Sequence, residues 1–217
     1  AEASSAGVPS GTADDTLILE LGDIEEVRAC FKDHKDQIAA IIVEPLPANN
    51  GLLVQDKKFL EGLREVTKEN DSLLIFDEVI SGFRVAFGGM AEKTGVIPDI
   101  VTYGKIIGGG LPVGALAAKT EIMNHLAPVG SVYQAGTLSA NPLAMVGGLA
   151  TLRSLTPDTY KKISSNTEAI VALFRRWFAE YNNGEFKDAK IVKNESLFWI
   201  VSEEGINRAC DIPTDLG

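Results

Sequence analysis

The sequence predicts an α/β protein, a mostly parallel sheet flanked by helices, followed by the start of a smaller α+β unit. Three observations carry the prediction. Short apolar runs alternate with amphipathic helical segments over most of the chain up to Leu155. The runs at 39–44 and 72–78 are continuous, the pattern of strands buried on both faces. Beyond Thr156-Pro157 the alternation gives way to one long charged helix and two short strand-like segments.

Taken in order, Thr16–Leu21 is expected as a strand, preceded by a surface turn at Ser10-Gly11-Thr12-Ala13. Asp23 then caps a helix running to about Lys35, with Ile24, Val27 and Phe31 on one face. Ala39–Glu44 is a strand closed by Pro45. After a turn region at Gly51–Val54, Asp56–Glu69 forms an amphipathic helix through Phe59, Leu60, Leu63 and Val66. Ser72–Glu78 is a strand that ends on acids, Ile100–Tyr103 a strand that feeds Lys105 and the Gly108–Gly110 triplet, and Leu111–Ala118 one more strand. Asn141–Leu155 and Pro157–Ala179 are helices. After the Asn-Asn-Gly turn at Asn182–Gly184, Lys187–Asn194 and Ser196–Ser202 pair as strands. Thr156-Pro157 divides a large domain over 1–155 from a second over 156–217.

With 45% hydrophobic residues in 217, the chain can bury a substantial core. Its net charge of −10 argues against nucleic acid or an anionic membrane as the main partner. No apolar run is long enough to span a bilayer. Cys30 and Cys210 lie far apart with no CxxC spacing, as two buried free thiols of a reducing cytosol would, and no signal-peptide pattern is present, so the expected location is the cytoplasm. Two histidines, His34 and His125, are too few for an expected zinc or iron site.

Three segments carry chemistry. Leu74–Val79 puts Asp77 at the tip of an apolar strand, where it serves either as a cap or as the carboxylate that keeps a pyridinium nitrogen protonated. Lys105 sits between Gly104 and two isoleucines; burial there would lower its ammonium pKa and supply the free amine for Schiff-base formation. The alternative is a phosphate-cradling glycine loop, although neither GxxxxGK[ST] nor a strand-following GxGxxG is present. Asp77 and Lys105 are 105 − 77 = 28 residues apart, room for a helix and a return strand between neighbouring strand ends. Gly136-Thr137 before Ser139-Ala140-Asn141-Pro142 offers donors to a phosphate, or is plain helix capping.

Together with the run Val43–Gly51, these segments resemble the class III aminotransferases, fold type I pyridoxal 5′-phosphate enzymes. The resemblance lies in LIFDEVISGFRV from Leu74, GKIIGGGLPVGA from Gly104, VYQAGTLSANPLAM from Val132 and VEPLPANNG from Val43, where the family usually has Gly in place of Ala48. It is dense over about residues 1–155 and thins toward the C-terminus.

The resemblance implies that Lys105 forms the Schiff base with pyridoxal 5′-phosphate, that Asp77 binds the ring nitrogen, that Val79 packs on the ring face and that Asn49 approaches the phenolic oxygen. Gly136 and Thr137 would reach the phosphate of the cofactor in a neighbouring subunit, so a homodimer with shared active sites is expected. The implied reaction moves an amino group within a small amino-aldehyde, converting glutamate-1-semialdehyde to 5-aminolevulinate for tetrapyrrole synthesis, with the pyridoxamine form as donor. Two other readings remain: an ω-aminotransferase using a separate acceptor, and a folded large-domain piece without activity. Ala3–Pro9 resembles the trailing end of the family's mobile lid. The family's N-terminal phosphate turn and ring-stacking aromatic have no counterpart here, and Gly217 falls inside the second domain. An internal piece of a longer enzyme, inactive alone, is therefore expected.

Overall fold

The apolar runs build the sheet. In the computed structural model, which describes residues 5–180 and 189–201, four strands lie in the order β1 (Ala40–Val43), β2 (Leu73–Asp77), β3 (Ile100–Tyr103) and β4 (Ala115–Ala118). The first three are parallel, with Ile42 opposite Ile75 and Asp77 opposite Thr102. β4 is antiparallel to β3, Tyr103 facing Ala115. Between them the chain holds a 3₁₀ turn at Lys105–Gly108 and no helix long enough for a crossover, so it can only return beside β3 in the opposite sense.

Local signals start the helices. After a single exposed turn, α1 (Ser10–Asp14), the Asp23 side chain accepts the Glu25 and Glu26 N–H groups at 3.0 Å each to open α2 (Ile24–Asp33). Asp56 accepts from Lys58 N at 2.9 Å to open α3 (Lys57–Glu69). Each such cap contributes about 1 kcal/mol. The two helices approach at Gly62, where an added Cβ would stand 2.6 Å from Ile24 Cγ1. Their inner faces, through Val27, Phe31, Phe59, Leu60 and Leu63, close over Leu74 and Phe76 of β2 as one core.

α4 (Gly89–Thr94) and α5 (Thr120–Met123) are short. α6 (Pro142–Ser154) begins with Pro at its first position and with Asn141 Oδ1 accepting Ala144 N at 2.9 Å. α7 (Pro157–Glu180) follows, then the antiparallel hairpin of β5 (Lys190–Asn194) and β6 (Leu197–Val201). Lys193 pairs with Glu168 of α7 at 2.7 Å, and Tyr160 donates its hydroxyl to Phe83 O at 2.9 Å. Among the described residues no helix is long and apolar enough to cross a membrane.

Several expectations change. Thr16–Leu21 joins no ladder; residues of this segment and of β1 instead line a common trough of about 610 Å³. β1 is not buried on both faces: among the described residues nothing covers Ile42, which is 66% exposed. The strand expected over 111–118 starts only at Ala115, since Pro112 has no N–H for a ladder. Cys30 is half-buried rather than buried. The turn at 182–184, the first residues of the 187–194 strand, Cys210 and Gly217 lie outside the described residues.

Candidate active site

Parallel strands present their carboxyl ends at one edge of the sheet, where α/β folds gather ligands. Three polar residues stand at three successive strand ends here. Glu44 directly follows β1, Asp77 closes β2, and Lys105 comes two residues after the end of β3.

Asp77 is half-buried, and its Oδ1 accepts the Val79 N–H at 3.0 Å. Among the described residues nothing donates to Oδ2. Val79 in turn packs on the backbone next to the lysine: an added Cβ at Gly104 would lie 3.2 Å from Val79 Cγ1. An apolar side chain thus stands between the acid's turn and the lysine's turn. Burial, then the charge of Asp77, push the Glu44 carboxyl above its usual range; the Ala48 N–H and Lys105 pull it back. Asp77 and Lys105 are therefore both within electrostatic reach of Glu44.

Lys105 opens its 3₁₀ turn in the left-handed region, at φ +45°. Its side chain is exposed, not buried as expected; Gly104 and Gly108 are the buried residues of the turn. The chain leaves β3 through this residue at the open edge of the sheet, so the side chain points away from the core. The glycine triplet has a packing use as well. Gly109, at φ +61°, faces helix α6, where its Cβ would fall 2.4 Å from Gly147 O. That accounts for a glycine there without any phosphate to cradle.

The structure thus brings Asp77, Val79 and Lys105 together. It leaves Asn49 exposed on the turn after Ala48, and Gly136 and Thr137 exposed on the loop before α6, where Ser139 N donates to Gly136 O at 3.0 Å. Two acids escaped the sequence reading. Glu44 was legible only as the end of a strand. Glu78 is fully buried, its Oε2 accepting Met90 N at 2.7 Å and Ser81 Oγ at 3.1 Å, its Oε1 accepting Ala91 N at 3.0 Å. Burial raises its carboxyl pKa while those three donors act against the rise. At Gly89, φ +63°, a Cβ would sit 2.0 Å from Oε2, so only glycine admits this carboxylate. The signal was available: successive strand residues point to opposite faces, so Asp77 and Glu78 cannot share one role.

A family profile described as aminotransferase class-III matches residues 3–189. Glutamate-1-semialdehyde 2,1-aminomutase of Bdellovibrio bacteriovorus is 49% identical over 201 residues, which is 92% of this chain and 46% of that protein. An ω-transaminase from Sphaerobacter thermophilus superposes with a TM-score of 0.84 at 33% identity, over 96% of this chain and 47% of that one. A transaminase with PLP bound matches with a TM-score of 0.83 at 31% identity, over 91% of this chain and 46% of the other. The chain spans about half the length of the relatives it matches.

Proposed function

The chain belongs to the class III aminotransferases, and from that premise we propose that its strand-end site holds pyridoxal 5′-phosphate in an enzyme that converts glutamate-1-semialdehyde to 5-aminolevulinate. The observation that carries this is a carboxylate and a lysine at adjacent parallel strand ends with Val79 between them. The donor set fits the cofactor: an amine for an aldehyde, a carboxylate for a ring nitrogen and an apolar face for the ring.

When bound, the cofactor supplies an electron sink for the substrate's carbanion. Asp77 holds the proton on the ring nitrogen through its open Oδ2, by charge pairing. Val79 limits the tilt of the ring. Lys105 holds the cofactor through Nζ and, once that amine is free, takes and returns the proton at the substrate carbon. Asn49 reaches the phenolic oxygen. Gly136 and Thr137 donate to the phosphate in a second copy of the chain, which makes the enzyme a homodimer with shared sites. α6 supports that assembly: from Pro142 to Ala150 it carries no polar side chain, yet Leu143 is 69% exposed, and Tyr133 on the preceding loop is 81% exposed. The large domain ends near residue 155, the substrate is a small amino-aldehyde, and the enzyme works in the cytoplasm.

The resemblance to an ω-transaminase favours a second reading, amino transfer to a separate acceptor. One assay separates them. Purified full-length enzyme is given glutamate-1-semialdehyde with and without an added amino acceptor, and 5-aminolevulinate is measured. Product without acceptor supports the aminomutase. A requirement for acceptor, with release of a keto product, turns the assignment to the ω-aminotransferase, and no product from either points to an inactive scaffold.

A further inference from the structure

We propose that helix α6 positions the cofactor lysine, with Gly147 and Gly148 letting the helix backbone seat the turn that begins at Lys105. This rests on the assignment of Lys105 to the cofactor. Glycine is among the poorest helix formers, so two in succession at mid-helix call for a physical reason.

The reason lies across the contact. A Cβ at Gly148 would stand 2.1 Å from Ile107 O, closer than any real contact. A Cβ at Gly147 would lie 3.2 Å from Gly108 O and 3.0 Å from Leu111 Cδ1. From the turn's side, a Cβ at Gly109 would lie 2.4 Å from Gly147 O and 2.6 Å from Thr151 Oγ1. Both backbones therefore lack side chains where they meet. On the other flank Gly104 rests on Val79, next to Asp77. The lysine is held between two glycine-mediated seats.

Lys105 needs such a hold. Its φ of +45° is a conformation that a residue with a side chain keeps only when its surroundings impose it. Its exposed side chain makes no hydrogen bond or ion pair among the described residues, so its location is set through its backbone. Neither of the two buried core clusters includes an α6 residue, although Ala144 and Gly148 of the helix are themselves buried, which is why the fold check accompanies the test. Gly147 and Gly148 are positioning residues that act through Lys105.

The test uses the full chain with added pyridoxal 5′-phosphate and borohydride, which fixes the cofactor to the amine it has reached. The readout is the rate of label at Lys105 relative to Lys119 in the same sample, by peptide mapping, with far-UV circular dichroism as a fold check. Gly148→Ala should lower that ratio by about 10²-fold, the scale of an ångström-sized misplacement. Gly147→Ala should lower it less, and Gly114→Ala, whose Cβ meets nothing within 4 Å, should leave it at the parent value. A Gly148→Ala protein that folds and labels at the parent ratio overturns the proposal. Should Gly148→Ala fail to fold, Gly147→Ala decides: a loss relative to Gly114→Ala supports the seat, and equality overturns it. If the parent itself labels Lys119 as fast as Lys105 or faster, the cofactor assignment fails, and the positioning role falls with it.

Discussion

Two apolar regions of this molecule behave in opposite ways. Between α2 and β3, the inward residues Leu60, Leu63, Leu74 and Phe76 are sealed from solvent by helices of the same chain. Between β4 and α6 the residues are just as apolar, yet Leu116, Val132, Leu138, Leu143 and Val146 remain exposed. Hydrophobicity alone does not separate the regions. The difference is whether the chain itself supplies the opposing surface. Asp77 belongs to the closed region, and Gly136 and Thr137 belong to the open one. Lys105 sits at the seam, with its turn seated on α6.

The largest expected effect falls on that seam. Lys105→Ala should remove the dominant borohydride-fixed pyridoxyl label, leaving only the slow background shared by other lysines, with far-UV circular dichroism unchanged; faster label on Lys119 or Lys93 than on Lys105 of the parent would displace the assignment. Next, the two regions can be set directly against each other. Phe76→Ala, in the closed one, should cost about 3–5 kcal/mol in denaturant unfolding. Leu143→Ser, in the open one, should change stability by no more than about 0.5 kcal/mol yet weaken self-association in sedimentation. Equal costs at the two sites would erase the contrast.

Asp77→Asn tests the chemistry of the closed region. Cofactor binding should remain measurable while turnover falls by about 10²-fold or more, the scale of a positioned acid–base group. Parent-like turnover would make Asp77 a structural cap. The smallest effect concerns Cys30 on α2. Burial first, then Asp33 and Glu26, push its thiol above the ordinary range. Less thiolate is therefore present at neutral pH, and mapped alkylation of Cys30 should be slower than that of a free thiol, with its midpoint at higher pH. An ordinary midpoint would mean that α2 opens more readily than its packing implies.

Local chemistry made much of this legible in advance. Asp23 and Asn141 were readable as caps because a cap needs only its own side chain and the next few N–H groups; Asp56, read as the first residue of its helix, is likewise the cap. The strand ends at Asp77 and Tyr103 followed from where apolar runs stop. Thr16–Leu21 misled because β-propensity speaks of a strand's own residues and not of whether a neighbour pairs with them. The exposure of Lys105 was hidden for a similar reason: apolar neighbours in sequence, Ile106 and Ile107, do not by themselves cover a side chain.

By itself, then, the sequence determined the kinds of element, their order and the spacing that sets an acid and a lysine on adjacent strand ends, since these depend on periodicity and on groups a few residues apart. Only the tertiary structure decided that Glu44 stands beside Asp77, that Glu78 turns inward onto Met90 and Ala91, and that Gly148 meets Ile107. Those meetings depend on how strands register and helices cross. Close packing allows one such arrangement, and no local pattern along the chain encodes it.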